Sequence, residues 1–275
     1  MSDLKILKDK VVIITGASSG IGRACAEAFA TKGANIVLAA RQYVSLCELG
    51  LDLEKRFGVK VLAVQCDVSR EEDCEQLIKQ TLVAFKAIDI LVNNAGISMR
   101  ALFHEVELSV LKRVMDVNFW GTVYCSKYAL PALIASKGTI VGVSSIAGYR
   151  GLPGRTGYSA SKFAMNGFLE SLRVETLQTG LHVMVACPGF TASNIRNKAL
   201  DTSGKEQGET TMDENKMMSS EEVAANIVGG IVKRKRTLIM TRQGKLAVFM
   251  NKFLPAWVDK KVYSLFAKEK RSLLP

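Results

Sequence analysis

Two kinds of stretch alternate along the chain. Short apolar runs rich in β-branched residues, at Val11 to Thr15, Ala34 to Ala40, Val59 to Gln65, Ile88 to Val92, Thr139 to Ser144, His182 to Cys187 and Thr237 to Thr241, read as strands, the fifth of them fully buried. Longer stretches with helical spacing lie between them: Arg23 to Thr31, a charged segment ending near Phe57, Glu71 to Phe85, Leu108 to Ile134, Tyr158 to about Gln178, and Glu221 to Val232. Gly33 and Gly180 stand where two of these helices should stop, and Ser219 with Glu222 forms a capping-box pattern at the head of the last. Seven strand candidates alternating with helices predict an α/β fold, a doubly wound parallel sheet in a single domain.

Two stretches break the alternation. Residues 190–218 are polar and methionine-bearing with no periodicity, a length at which a loop is either functional or disordered, and they read as a substrate lid. From Lys245 to Lys268, Leu246, Phe249, Phe253, Trp257, Val262 and Phe266 recur near helical spacing with lysines between them, and Pro255 should divide the run into two helices. The expected organisation is a catalytic domain over 1–241 and a basic amphipathic extension over 242–275.

Composition sharpens this picture at three points. With 275 residues, 48% of them hydrophobic, the chain can bury a full core. The formal net charge of +11 belongs almost wholly to the tail: from Lys233 onward twelve Lys and Arg face only Asp259 and Glu269. The extension therefore either packs on the body or a subunit partner, or meets an anionic membrane surface or a lipid-like substrate; aromatics on its apolar face and the lack of a base-reading motif argue against nucleic acid. Six cysteines at irregular spacings and two histidines without a partner pattern predict buried free thiols and no metal site, with His104 in a loop and His182 on the surface. No apolar window is long enough to span a bilayer and Met1 to Lys10 is polar, so a soluble, cytoplasmic protein is expected.

The chemistry gathers at strand ends. After the first strand comes Gly16-Ala-Ser18-Ser19-Gly20-Ile21-Gly22 and then a helix, an arrangement in which glycines allow a tight turn, close approach of a diphosphate, and close packing, with the helix N-terminus facing the phosphates. An acidic residue at the end of the second strand would hold a ribose diol, as for NAD; here Ala40 and Arg41 stand there, and with Ser18 they suit a 2′-phosphate, hence NADP(H). Asp67, followed by Val68, is placed either to hydrogen-bond adenine or to cap the Glu71 helix. Asn93-Asn94-Ala95-Gly96 can pin a neighbouring loop and let a ligand lie close to backbone. Asn118, an unfavoured helix-interior residue, is either exposed or required inside for its amide. Tyr158 and Lys162, four apart, share one helix face, so an ammonium can favour an ionised phenol.

Together Thr15 to Gly22, Asp67, Asn93 to Gly96, Asn118, Ser145, Tyr158-x-x-x-Lys162 and Pro188-Gly189 closely resemble the short-chain dehydrogenase/reductase family over about residues 8–241. The resemblance implies a Rossmann-like sheet and a catalytic tetrad of Asn118, Ser145, Tyr158 and Lys162. Tyr158 would exchange a proton with the substrate oxygen, Ser145 would hydrogen-bond that oxygen, Lys162 would hold the nicotinamide ribose, and Asn118 would position a water. Ser144 and Ser159 are bland neighbours. Thr191 and Ser193 are both candidates for the carboxamide contact after Pro188-Gly189. The expected activity is NADP(H)-dependent interconversion of a ketone and a secondary alcohol on a lipophilic substrate, by a homodimer or homotetramer, with peripheral membrane contact through the tail. The alternative is an NADP(H)-binding sensor or membrane-recruited scaffold without turnover.

Overall fold

The computed structural model describes residues 6–192, 195–208, 217–268 and 272–274. Strands β1 (Val11–Thr15), β2 (Asn35–Ala40), β3 (Val61–Gln65), β4 (Ile90–Asn93), β5 (Thr139–Val143), β6 (His182–Cys187) and β7 (Thr237–Ile239) form one sheet in the order β3-β2-β1-β4-β5-β6-β7. Each neighbouring pair is parallel. All five residues of β1 are buried, because the sheet is covered on both faces. Val12 and Ile14 point into one core layer, with Phe29, Leu46 and Ile227; Val11 and Ile13 point into the other, with Leu77, Leu133 and Leu169. Burying each such aliphatic side chain contributes about 1.5–3 kcal/mol.

Those layers belong to α1 (Gly20–Ala30), α2 (Tyr43–Phe57) and α7 (Ser220–Val232) on one side. On the other lie α3 (Glu71–Phe85), α5 (Gly121–Ala135) and α6 (Thr156–Glu175). The strand order reverses between β1 and β4, so the crossovers diverge there and leave a crevice beyond the carboxyl ends of the strands. In register, Thr15 lies beside Ala39, Asn93 beside Gly142, and Val143 beside Ala186. The loops that follow therefore emerge along one edge.

Several sequence expectations need correction. The continuous helix expected over Leu108 to Ile134 is three pieces: α4 (Leu108–Met115), a π-helical turn at Asp116–Trp120, and α5. Helix α1 starts at Gly20, inside the glycine turn, and not at Arg23. His182 is buried, not on the surface: the turn before β7 lies against the start of β6, where the ring meets the Lys235 carbonyl through Nε2 at 2.9 Å and Thr139 Oγ1 through Nδ1 at 3.4 Å. Burial holds its pKa below the usual value. Cys47 is only partly buried, whereas the other five thiols are buried, and all six are free. The capping box at Ser219 and Glu222 is present in both directions.

The tail forms two helices, α8 (Arg242–Phe253) and α9 (Pro255–Phe266), parted at Leu254 with Pro255 opening the second. One side of the pair packs on the body through the buried Val258 and Phe266; Leu246, Phe249, Phe253 and Trp257 stay exposed. Among the described residues no helix is long and apolar enough to cross a membrane.

Candidate active site

The β1–α1 turn is built by contacts that exclude side chains. Gly16 adopts a positive φ of 65°, and a Cβ on Gly22 would stand 2.2 Å from the Gly16 carbonyl oxygen. Asn94, beyond β4, pins this turn: its Nδ2 donates to the carbonyls of Thr15 at 2.9 Å and Gly16 at 3.3 Å, while Thr15 Oγ1 accepts from the Asn94 and Ala95 amides. No capping side chain and no acid in the first turn offset the positive end of α1. This cradle, with a helix terminus aimed into it, fits a dinucleotide diphosphate. Arg41, Ser18 and Gln42 line the adenosine end of the same cleft, and no carboxylate stands at the end of β2 to compete with a phosphate.

The reacting groups lie at the other end. Ser145, just beyond β5, has extended backbone, and its Oγ accepts the Ala147 amide at 3.1 Å. Tyr158, in the first turn of α6, is half-buried and lines the same cleft as Ser145, close enough for its hydroxyl to feel that side chain. Lys162 is buried one turn on; its Nζ donates to the Val143 carbonyl at 2.9 Å and lies 5.8 Å from the centre of the Tyr158 ring. Asn118 occupies the π turn and is fully buried, which decides for its amide being required inside. Its Oδ1 accepts the Ile97 amide at 2.8 Å, and its Nδ2 donates to the Ile97 carbonyl and to Ser161 Oγ, each at 2.9 Å. Gly96 keeps the space between: a Cβ there would lie 3.1 Å from Asn118 Oδ1 and 3.6 Å from Lys162 Nζ.

Burial pushes the Tyr158 phenol above its ordinary pKa, while the Ser145 hydrogen bond and the charges of Arg155 and Arg196 pull it down. The downward pull expected from Lys162 thus comes here from two arginines. Burial drives the Lys162 ammonium itself down to about 8. The neighbouring Cys187 thiol is raised to about 12, again by burial, and stays neutral.

One cleft brings together Gly16, Ser18, Ser19, Gly20, Ile21, Arg41, Asp67, Val68, Asn94, Ala95, Gly96, Ser145, Tyr158, Lys162, Pro188, Gly189 and Thr191. Gly22 and Asn118 support it from behind. Asp67 does not cap the Glu71 helix: its Oδ1 accepts both the amide and the hydroxyl of Ser69, closing a tight turn, and Arg70 holds the cap position. Thr191 donates its hydroxyl to the Gly189 carbonyl at 3.1 Å. Ser193, the other candidate for the carboxamide, lies outside the described residues, as do 194 and 209–216 of the expected lid. Phe190, Ile195, Arg196 and Leu200 of the described part of that stretch line the cleft, and Leu200 bridges Met99 in parallel. Sequence reasoning missed Ser161, Arg155 and Arg196; Ser159 lies outside the cleft, where its Oγ accepts the Leu152 amide.

The family profile described as short chain dehydrogenase matches residues 10–204. The chain belongs to the short-chain dehydrogenase/reductase family. It is thus an oxidoreductase of the kind that acts on CH–OH and C=O groups. Among curated relatives, 11-beta-hydroxysteroid dehydrogenase A of Sesamum indicum is 34% identical over 92% of this chain and 75% of its own length. Dehydrogenase/reductase SDR family member 7B of Bos taurus is also 34% identical, over 97% and 84%. A Burkholderia phymatum short-chain dehydrogenase/reductase solved in complex with NAD superposes with a TM-score of 0.79 at 25% identity, over 92% of this chain and 95% of that one. An alcohol dehydrogenase of Thermococcus sibiricus complexed with 5-hydroxy-NADP gives 0.74 at 25% identity, over 83% and 93%. This dehydrogenase therefore has solved neighbours with each of the two nicotinamide cofactors.

Proposed function

We propose that this short-chain dehydrogenase is an NADP(H)-dependent oxidoreductase that interconverts a ketone and a secondary alcohol, chiefly as a carbonyl reductase on lipophilic substrates. The observation that carries the reading is the convergence of Ser145, Tyr158 and Lys162 on one cleft, at the end opposite Arg41. When bound, the reduced nicotinamide supplies the hydride that the carbonyl carbon accepts. The chain supplies the rest. Tyr158 gives its proton to the carbonyl oxygen, and Ser145 donates a hydrogen bond to the same oxygen as negative charge develops on it. Lys162 holds the nicotinamide ribose and carries positive charge behind the phenol. Asn118 fixes the Ile97 backbone beside Gly96 and positions a water that serves the lysine.

Arg41 and Ser18 favour the 2′-phosphate of NADP(H). Leu152, Phe190, Ile195 and Leu200 make the substrate end apolar, and the hydroxysteroid dehydrogenases among the relatives point the same way. Residues 190–218 serve as the lid of the domain over 1–241. Exposed Trp120 and Phe163 near Asn118 and Tyr158 support a homodimer or homotetramer built on α5 and α6. The exposed apolar residues of α8 and α9, interleaved with lysines, support peripheral contact with a membrane surface.

The test is cofactor consumption over long-chain and polycyclic ketones with NADPH and NADH in parallel. NADPH is expected to be preferred, and Arg41→Ala to weaken NADPH binding by about tenfold or more while leaving NADH unchanged. Equal use of both cofactors, insensitive to Arg41, would refute the phosphate assignment; no turnover on any ketone or alcohol would refute the enzyme.

A further inference from the structure

The segment from Tyr149 to Arg155 joins Ser145 to Tyr158, and the C-terminal helices grip it at successive points. Arg150 Nη1 donates to Asn251 Oδ1 at 3.0 Å, and its Nη2 pairs with Asp259. Asn251 Nδ2 donates to the Tyr149 carbonyl at 3.3 Å. Gly154, at a φ of 66°, leaves room for Leu273, which a Cβ would meet at 2.9 Å. Arg155, only 9% exposed, lays its guanidinium over the Phe266 ring, 4.9 Å from the centroid, and Phe266 is itself 4% exposed. Arg155 lies immediately before α6, three residues before Tyr158, and lines the same cleft.

We propose that Arg155 is a positioning residue for proton transfer at Tyr158, and that Phe266 of the C-terminal helix holds its guanidinium in place. The extension is then a wall of the active site and not an appendage. The cation–π contact fixes where a permanent, water-shielded positive charge sits. Tyr158 has Ser145 at its hydroxyl, Lys162 at its ring, the charges of Arg155 and Arg196 acting on its phenol, and the neutral Cys187 thiol nearby. Its ring packs against the apolar cluster that includes Val110 and Val114 of helix α4. Arg113, Lys198 and Glu206 line the same cleft. Of the two arginines acting on the phenol, Arg155 has its guanidinium over Phe266 of the tail, and its charge favours the ionised phenol.

The inference rests on Tyr158 being the proton donor, so its readout is kept independent of turnover. In the full-length chain, the ultraviolet absorbance of the phenolate is followed by rapid pH jump, before unfolding, for each variant and its Tyr158→Phe partner. The difference isolates Tyr158. Arg155→Met and Phe266→Leu should each move its ionisation to higher pH, by about one unit for the lost charge. Arg155→Lys, which keeps the charge, should stay close to wild type. An Arg155→Met variant that titrates like wild type overturns the role of Arg155, and a Phe266→Leu variant that does so overturns the role of the tail. Should Arg155→Met not fold, Phe266→Leu set against Arg155→Lys still decides. Failure of every carbonyl substrate in the turnover screen would sink the reductase reading and leave this titration standing.

Discussion

Burial acts in opposite directions on the two ionisable groups that matter most. It opposes the charged form of each, so the Tyr158 phenol moves up and the Lys162 ammonium moves down to about 8. Near neutrality the phenol is therefore protonated, the state that can give a proton to a carbonyl oxygen, while most of the lysine is still charged. A base with a lowered pKa loses its charge as pH rises through that value. Ketone reduction at saturating NADPH should accordingly hold steady around pH 7 and decline as pH rises through about 8; a rate that climbs across that interval would contradict the role given to Lys162. Tyr158 and Lys162 were legible in the sequence because an i, i+4 pair is a local pattern, and Ser145 through the family resemblance. Arg155 and Ser161 were not. Phe266 returns to Arg155 from 111 positions further along the chain, and Ser161 gains its role only when the π turn brings Asn118 to it.

Whole elements were easier to read than single residues wherever the physics is local. Strands covered on both faces leave near-continuous β-branched runs, and the glycine turn announces itself between a strand and a helix. The π turn at Asp116–Trp120 escaped, because helical periodicity runs on either side of it and one widened turn leaves no compositional mark. Its purpose is visible in Asn118, which satisfies both polar groups of the Ile97 backbone. Replacing it by alanine strands those part-buried groups and the Ser161 hydroxyl. Asn118→Ala should lower unfolding stability by roughly 2–4 kcal/mol in denaturant melts. An unchanged midpoint and slope would show that the amide is dispensable. His182 failed for a related reason: a histidine opening a strand looks exposed until the turn before β7 brings the Lys235 carbonyl to its ring.

At the scale of the molecule, the carboxyl edge of the sheet collects what the sequence scatters: the glycine turn near residue 16, the asparagine run near 94, Ser145, and the helix of Tyr158 and Lys162. Phe190, Ile195 and Leu200 from the segment after β6, and Arg155 held by the tail, line the same end. The tail's excess charge was readable from composition alone, whereas its grip on residues 149–155 required the fold. The central claim is that this edge moves a proton through one phenol. It is tested most directly by NADPH consumption on a responsive ketone with wild type and Tyr158→Phe, after equal NADPH binding and equal unfolding midpoints are established. The expected outcome is a loss of turnover of about 10²- to 10⁴-fold in the variant; turnover equal to wild type would contradict the account.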